Sequence, residues 1–288
     1  MKKVLILGSG GMLGHVVCKY LEGLNSYQIF DASYPFKFRS KSNILDVLDK
    51  IKLIEFLETI SPDIVINCIG VLIKGSAIDP ANAIYINSYF PHFLSKVIKK
   101  WNGKLIHIST DCVFSGAKGD YSESDLKDAD DNYGRSKSLG EVNNDYDLTL
   151  RTSIIGPELN MNGEGLFHWF MNQNGDIYGF TRVLWTGITT LELARVIQSA
   201  IDQNLTGLIN IPAKQKISKY DLLVKIKEIF NFPNVLIIPS DEKTEDKSLI
   251  SVRTDFDFKV KEYSEMLHDL YHFMNVNAEL YEHYFQKK

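Results

Sequence analysis

At 288 residues the chain is long enough for about two domains of roughly 150 residues each. Its 44% apolar and 24% charged residues, with 19 Gly and 8 Pro spread along the length, exclude disordered, collagenous and low-complexity classes. Thirty-two basic against 36 acidic side chains leave a net charge of −4, which argues against a nucleic-acid backbone or an anionic membrane as partner.

Cys18, Cys68 and Cys112 show no paired spacing, so neither a disulfide framework nor a thiolate zinc site is expected, and a reducing, cytoplasmic setting fits. Only Val4 to Leu7 follow Lys2 and Lys3 before Gly8, too short a run for a signal peptide. No stretch approaches the roughly 18 apolar residues of a membrane span.

Near-continuous apolar runs at 2–7, 28–32, 63–70, 104–109 and 147–153 predict strands buried on both faces and therefore parallel. Between them, residues 12–24, 46–60, 80–100 and 133–142 carry apolar positions at three-to-four spacing, the mark of helices. The expected fold is α/β: a Rossmann-type doubly wound parallel sheet with a smaller C-terminal α/β substrate lobe. A dinucleotide-binding domain is expected over 1–155. The substrate lobe follows over 156–288, with some segments free to return to the first sheet. That lobe begins with polar, Gly-containing turns at 160–165 and 172–176 and continues into helices at 190–203 and 218–230. The aromatic and leucine stripe of 265–285 reads as core packing.

Directly after the first strand, Gly8, Gly11 and Gly14 stand in a G-x-x-G-x-x-G spacing that opens a helix. A tight turn, close backbone approach to a pyrophosphate and helix packing on the strand each call for glycine, and the helix N-terminus offers N–H groups to phosphates. Asp31 ends the second strand, where a carboxylate accepts from adenosine ribose hydroxyls and favours NADH. Lys37, Arg39 and Lys41 follow and leave NADPH open. Asp46 is either an acceptor for the adenine amino group or the start of a helix.

Tyr133 and Lys137 stand one helical turn apart in YGRSK. A phenol titrates near 10, and an adjacent ammonium favours its ionised form, so the pair suits proton transfer. Thr110 follows the buried strand 104–109, at the end where parallel sheets bind ligands, and can hydrogen-bond a substrate carbonyl.

These segments resemble the extended short-chain dehydrogenase/reductase superfamily, most closely its dTDP-4-dehydrorhamnose reductase branch. The likeness runs through GSGGMLG (8–14), PDIVINCIG (62–70), STDCVFSG (109–116), YGRSKSLGE (133–141), LRTSIIG (150–156) and GLINIPAKQKISKYDLL (207–223). It implies that Met12, Leu13, Cys68 and Gly70 join the glycines at an NADPH or NADH site, with Lys137 holding the nicotinamide ribose. It also implies that Thr110 and Tyr133 bind the C4 keto oxygen of a nucleotide-linked 6-deoxyhexose, Tyr133 donating the proton while Lys137 tunes it. Asn87 takes a supporting role, and a homodimer is plausible. Cys112 replaces the branch's usual Tyr, and Ile154 stands where an aromatic often lines the sugar pocket. Related 4,6-dehydratases carry Asp-Glu after the Thr; Asp111-Cys112 here disfavours dehydration.

The resulting expectation is reduction of a 4-keto nucleotide-sugar for surface polysaccharide synthesis. Two alternatives are a UDP-2-acetamido-2,6-dideoxy-4-hexulose as substrate, and a non-catalytic nucleotide-binding subunit like the methionine adenosyltransferase β subunit, which resembles the same branch. A diphosphate calls for cations; Lys74, Arg182 and Arg253 are candidates, and Trp185 is a candidate to stack on base or sugar. His268 and His272 lack a third ligand and read as structural rather than metal-binding, and His107 as a core histidine.

Overall fold

The computed structural model describes residues 1–285. β1 (Lys2–Leu7) enters the glycine loop and α1 (Gly14–Gly23), then β2 (Tyr27–Ser33) and the two-residue β3 (Asn43–Ile44). α2 (Lys50–Ile60) starts behind Asp49, whose carboxylate accepts from the Lys52 N–H, and leads to β4 (Ile64–Asn67). There follow α3 (Ile73–Ile78), α4 (Pro80–Ala83), a π-helical turn over 84–89, α5 (Phe90–Ile98) and β5 (Lys104–Ser109). α6 (Asn132–Leu139), capped by Asp131, precedes β6 (Leu148–Arg151).

These strands form a seven-stranded, wholly parallel sheet in the order β10-β6-β5-β4-β1-β2-β3, with β10 (Gly207–Asn210) supplied from beyond residue 155. All five strands expected from the apolar runs lie in it. The chain winds outward from β1 through β2 and β3, then returns to β4 on the other side. The order therefore reverses between β1 and β4, where doubly wound sheets open a crevice at the carboxyl ends of the strands. Val4 and Ile6 face one core, shared with α1 and α8 (Thr190–Asp202), whereas Leu5 and Leu7 face another with α2 and α5. This alternation is the period-2 consequence of a strand covered on both faces.

The rest builds a smaller lobe. β7 (Ile154–Ile155) pairs with β9 (Ile188–Thr189), and α7 (Leu166–Met171) lies between them in sequence. β8 (Gly175–Trp185) is the centre of a three-stranded sheet between β11 (Ile217–Ser218) and β12 (Val235–Asp246). α9 (Lys219–Ile229), α10 (Tyr263–Val276) and α11 (Glu282–Phe285) complete the described chain. Met266, Leu267, Leu270 and Met274 of α10 are fully buried, so the stripe read in the tail is core packing. The continuous helix expected over 80–100 is interrupted by the π-turn, and β3 has too few residues to leave a periodic signal. No helix among the described residues is long and apolar enough to cross a membrane.

Candidate active site

The glycine loop is pinned to β2 by the Gly8 and Ser9 N–H groups, which donate to the Ala32 carbonyl at 2.9 and 3.1 Å. Gly8 has φ +83°, a left-handed conformation that favours glycine. A β-carbon on Gly14 would fall inside 3.0 Å of the Gly8 carbonyl oxygen, so a glycine there lets α1 seat against the loop. No side chain caps the N-terminus of α1. That end of the helix faces a cavity of about 980 Å³, lined by Gly8, Gly10, Gly11, Met12, residues 33–38, Asp46, Cys68, Gly70, residues 158–161, Glu279 and Leu280. This volume is at the upper end of the ~300–1,000 Å³ usual for cofactor pockets. The uncapped N–H groups, the bare glycine surface and the position at the switch point suit a dinucleotide pyrophosphate.

Four expected cofactor residues need correction or refinement. Leu13 is buried in the core beneath the loop and does not line the cavity, and Gly14 serves packing. Asp31 is also buried; its carboxylate accepts from Ser9 Oγ at 2.7 Å and from Arg39 Nε and Nη2 at 3.1 and 2.6 Å. It is therefore not a free acceptor for a ribose. Arg39 is consumed by this pair and by Glu22, and Lys41 pairs with Glu22 at 2.6 Å. Lys37 is the member of that basic group left on the cavity wall. Asp46 lines the cavity while accepting from the Leu48 N–H at 3.0 Å.

The C-terminal segment, which the sequence did not assign to this site, braces it. Buried His15 meets the Gly11 carbonyl through Nδ1 at 2.7 Å and the Tyr281 hydroxyl through Nε2 at 2.9 Å. Burial lowers its pKa to about 4, so the imidazole is neutral. The Tyr284 hydroxyl accepts from the Glu158 N–H at 3.0 Å and contacts His168 Nδ1 at 2.6 Å.

At the end of β5, Thr110 caps a short turn over 111–113, accepting from the Cys112 N–H and donating to Asp111 Oδ1, both at 3.1 Å. A β-carbon on Gly134 would lie inside 3.0 Å of the Cys112 carbonyl oxygen. The glycine thus allows α6 to press against this turn and sets Tyr133 beside Thr110. Burial, followed by Cys112, pushes the Tyr133 phenol well up, with Thr110 opposing. Lys137 is buried, and its Nζ donates to the Ile108 carbonyl at 2.6 Å. Burial lowers its pKa to about 8 against the opposing pull of Glu141 and Cys68. The expected depression of Tyr133 by Lys137 is absent: the ammonium is turned to the β5 backbone, and burial governs the phenol.

Asn87, on the π-turn, accepts from the Val71 N–H at 2.9 Å and donates to the Val71 carbonyl at 2.9 Å and to Ser136 Oγ at 3.1 Å. It ties the loop after β4, which borders the cofactor cavity, to the helix carrying Tyr133 and Lys137. Beneath α6, Glu141 accepts from Arg151 Nε and Nη2 at 2.7 Å each, from Ser109 Oγ at 2.7 Å and from Lys127 at 3.0 Å. His107 faces the Asn67 amide at 3.2 Å, and burial holds its pKa well below the usual value, as befits a core histidine.

A family model described as the RmlD substrate binding domain matches residues 1–246. The chain belongs to this family. This RmlD-family chain is 27% identical over 143 residues to a dTDP-4-dehydrorhamnose reductase of Aggregatibacter actinomycetemcomitans, covering 49% of the chain but only 46% of that relative's length. It is 23% identical to the methionine adenosyltransferase 2 subunit beta of Xenopus laevis, over 83% of the chain and 75% of that protein. Among solved structures, a hypothetical dTDP-4-dehydrorhamnose reductase from Sulfolobus tokodaii superposes with a TM-score of 0.76 at 27% identity, covering 91% of this chain and 98% of that one.

In this RmlD-family chain, the cations expected to meet a diphosphate are scattered. Lys74 is exposed on α3, and Arg182, with its side chain 63% exposed, reaches Asp241 at 3.9 Å. Arg253 is tied down: Nη1 donates to the Thr206 and Leu208 carbonyls at 2.6 and 3.2 Å, and the rest of the guanidinium engages Asp255. Trp185 is 3% exposed and stacks on Tyr263, so it is a packing residue with no free face for a base. Ile154 is half-buried in β7. The sequence reading missed Lys219 and Lys247, which are the leading cations acting on buried Asp111. A lysine directly behind the Ser218 cap was the only local signal for Lys219. His268 Nδ1 meets the Ser264 carbonyl at 2.7 Å, and no His, Cys, Asp and Glu group among the described residues is arranged to hold a metal ion.

Proposed function

We propose that this chain reduces the C4 keto group of a nucleotide-linked 6-deoxyhexose with NAD(P)H, in making a precursor of a surface polysaccharide. The observation that carries this reading is Tyr133 beside Thr110, with Lys137 one turn on, next to a cavity shaped for a dinucleotide. When bound, the reduced nicotinamide supplies the hydride that arrives at C4. The hydroxyls of Thr110 and Tyr133 hold the C4 oxygen, and Tyr133 gives it the proton. Burial keeps Tyr133 protonated near neutrality, as a donor in the reductive direction requires. The Lys137 ammonium would hold the nicotinamide ribose. Gly8, Gly11 and Met12 would hold the pyrophosphate.

For the adenosine end, Asp31 is sequestered by Arg39 and Ser9 while Lys37 stands on the wall, which favours NADPH. The similarity to a dTDP-4-dehydrorhamnose reductase supports a dTDP-linked sugar. Exposed Ile84, Tyr89 and Leu139, on the π-turn and α6, support a homodimer.

The test is absorbance at 340 nm with NADPH or NADH and either dTDP-4-keto-6-deoxy-L-mannose or UDP-2-acetamido-2,6-dideoxy-4-hexulose. Turnover with one sugar, reduced about 10²–10⁴-fold in Tyr133→Phe without loss of cofactor binding, is expected. A non-catalytic nucleotide-binding subunit is the second reading, favoured by the likeness to the methionine adenosyltransferase β subunit. It predicts cofactor binding with no turnover of either sugar.

A further inference from the structure

A nucleotide-linked sugar carries a diphosphate, and the expected cations for it are exposed or tied down, as described for Lys74, Arg182 and Arg253. Lys219 is neither. It is the first residue of α9, directly after β11, whose Ile217 pairs with Trp185 at the end of β8. Its Nζ lies 4.1 Å from the centroid of the Trp185 ring. Asp246 pairs with Leu184 at the end of β12, so Lys247 leaves the small sheet at the same end. That end is joined to the turn after Thr110, because the Asp246 N–H donates to the Gly116 carbonyl at 2.9 Å.

The two lysines differ in how they are neutralised. Lys247 pairs with Glu245 at 3.0 Å. Lys219 has no carboxylate within 4.0 Å among the described residues; its strongest charged neighbour is Asp111, which lies beyond ion-pair distance. Burial pulls its pKa down to about 8, and Asp111 and Cys112 are the leading groups that oppose. An enclosed ammonium resting on an indole without a counter-ion is unfavourable until an anion arrives. The keto carbon and the phosphate-bearing carbon stand at opposite ends of a hexose ring. A sugar held by its C4 oxygen at Thr110 therefore presents its phosphate away from that residue, and Lys219 acts on neighbouring Asp111 without pairing with it.

We propose that Lys219 binds an anionic oxygen of the sugar nucleotide's diphosphate, with Lys247 adding to the positive field. This assignment rests on the nucleotide-sugar reading given above. It also accounts for Trp185 as the platform that holds the ammonium in place.

The experiment is calorimetric titration of dTDP and of UDP into the protein saturated with NADP⁺, for wild type, Lys219→Gln and Lys219→Arg, with NADP⁺ affinity measured in parallel. Lys219→Gln should weaken both nucleotides about tenfold or more, the loss of one charge-assisted contact, while NADP⁺ affinity is unchanged. Lys219→Arg should stay within about threefold of wild type, since it keeps the charge and can stack on the indole. Equal nucleotide affinity in wild type and Lys219→Gln overturns the assignment and leaves the reductase reading standing. A parallel loss of NADP⁺ affinity would make Lys219 a packing residue and also overturn it. Wild-type protein that binds NADP⁺ but neither dTDP nor UDP overturns the nucleotide-sugar reading itself, and this assignment with it.

Discussion

Replacing Glu141 by Gln removes one charge from an ion pair sealed beneath α6. Arg151 is 1% exposed, so its guanidinium cannot turn to water when its partner is neutralised. It would keep the Asn210 side-chain oxygen at 3.1 Å, the face of the Phe114 ring and whatever the amide offers. Breaking a buried pair from one side costs about 3–5 kcal/mol. At roughly 2.1 cal/mol/K of unfolding entropy per residue, a chain of 288 residues changes by about 0.6 kcal/mol per degree, so the Tm should fall by about 5–8 °C. Burial acts to raise the pKa of Glu141, but the Arg151 hydrogen bond and charge outweigh it and hold the carboxyl below its ordinary value. The pair's stabilisation is therefore fully present above the ordinary glutamate pKa near 4.5 and is lost as pH falls through the lower folded value. Calorimetric melting at pH 7 and again below about pH 4 checks both magnitude and sign. Replacing both partners, Glu141→Leu with Arg151→Met, should recover part of the loss, because no lone charge is then left buried. A penalty under about 1 kcal/mol at pH 7, or a difference between wild type and Gln that grows on acidification, would refute the reasoning.

Gly134→Ala should leave a folded protein whose turnover drops about 10²-fold, because the new methyl group drives α6 off the Cys112 carbonyl and separates Tyr133 from Thr110; unchanged kcat in the assay at 340 nm contradicts this. At saturating substrate, kcat should fall as pH rises through about 8, where Lys137 loses its proton; a profile flat to pH 9.5 would count against an ammonium requirement. Arg39→Ala releases the Asp31 carboxylate toward the adenosine end of the cavity, so the ratio of kcat/KM for NADPH over NADH should fall roughly tenfold; an unaltered ratio would show that Asp31 does not meet the cofactor in either state.

The large sheet was legible because strands buried on both faces carry apolar residues on both, as Val4–Leu7 of β1 and Ile64–Ile66 of β4 do without a break and as Leu105, Ile106 and Ile108 of β5 and Leu148 and Leu150 of β6 do around buried polar positions. The proposed proton-transfer group was legible for a similar local reason: Thr110 directly follows a strand, and Tyr133 and Lys137 stand one turn apart on one helix. Side-chain commitments made across the fold were not. Asp31 and Arg39 are eight residues apart, yet nothing in that spacing says they will spend their charges on each other. Arg253 looked free until β10 and the residue before it brought the Leu208 and Thr206 carbonyls to it. Trp185 and Lys219 meet only because β8 and β11 pair, and Asp111 feels Lys219 across more than a hundred positions. The π-turn at 84–89 adds one residue per turn, a change too small to disturb an apolar periodicity, although it carries the Asn87 clamp.

The contact between His15 and Tyr281 spans 266 positions. During synthesis the glycine loop is thus made well before its brace, which lies 266 positions further along the chain. Contacts of such long range form late in folding, since closing the intervening chain must come first. The affinity of the loop for a dinucleotide is then completed late in folding, once the brace has closed on it. Once gained, that affinity feeds back on the brace, because any ligand held between the loop and residues 279–280 also slows the release of the segment that follows them.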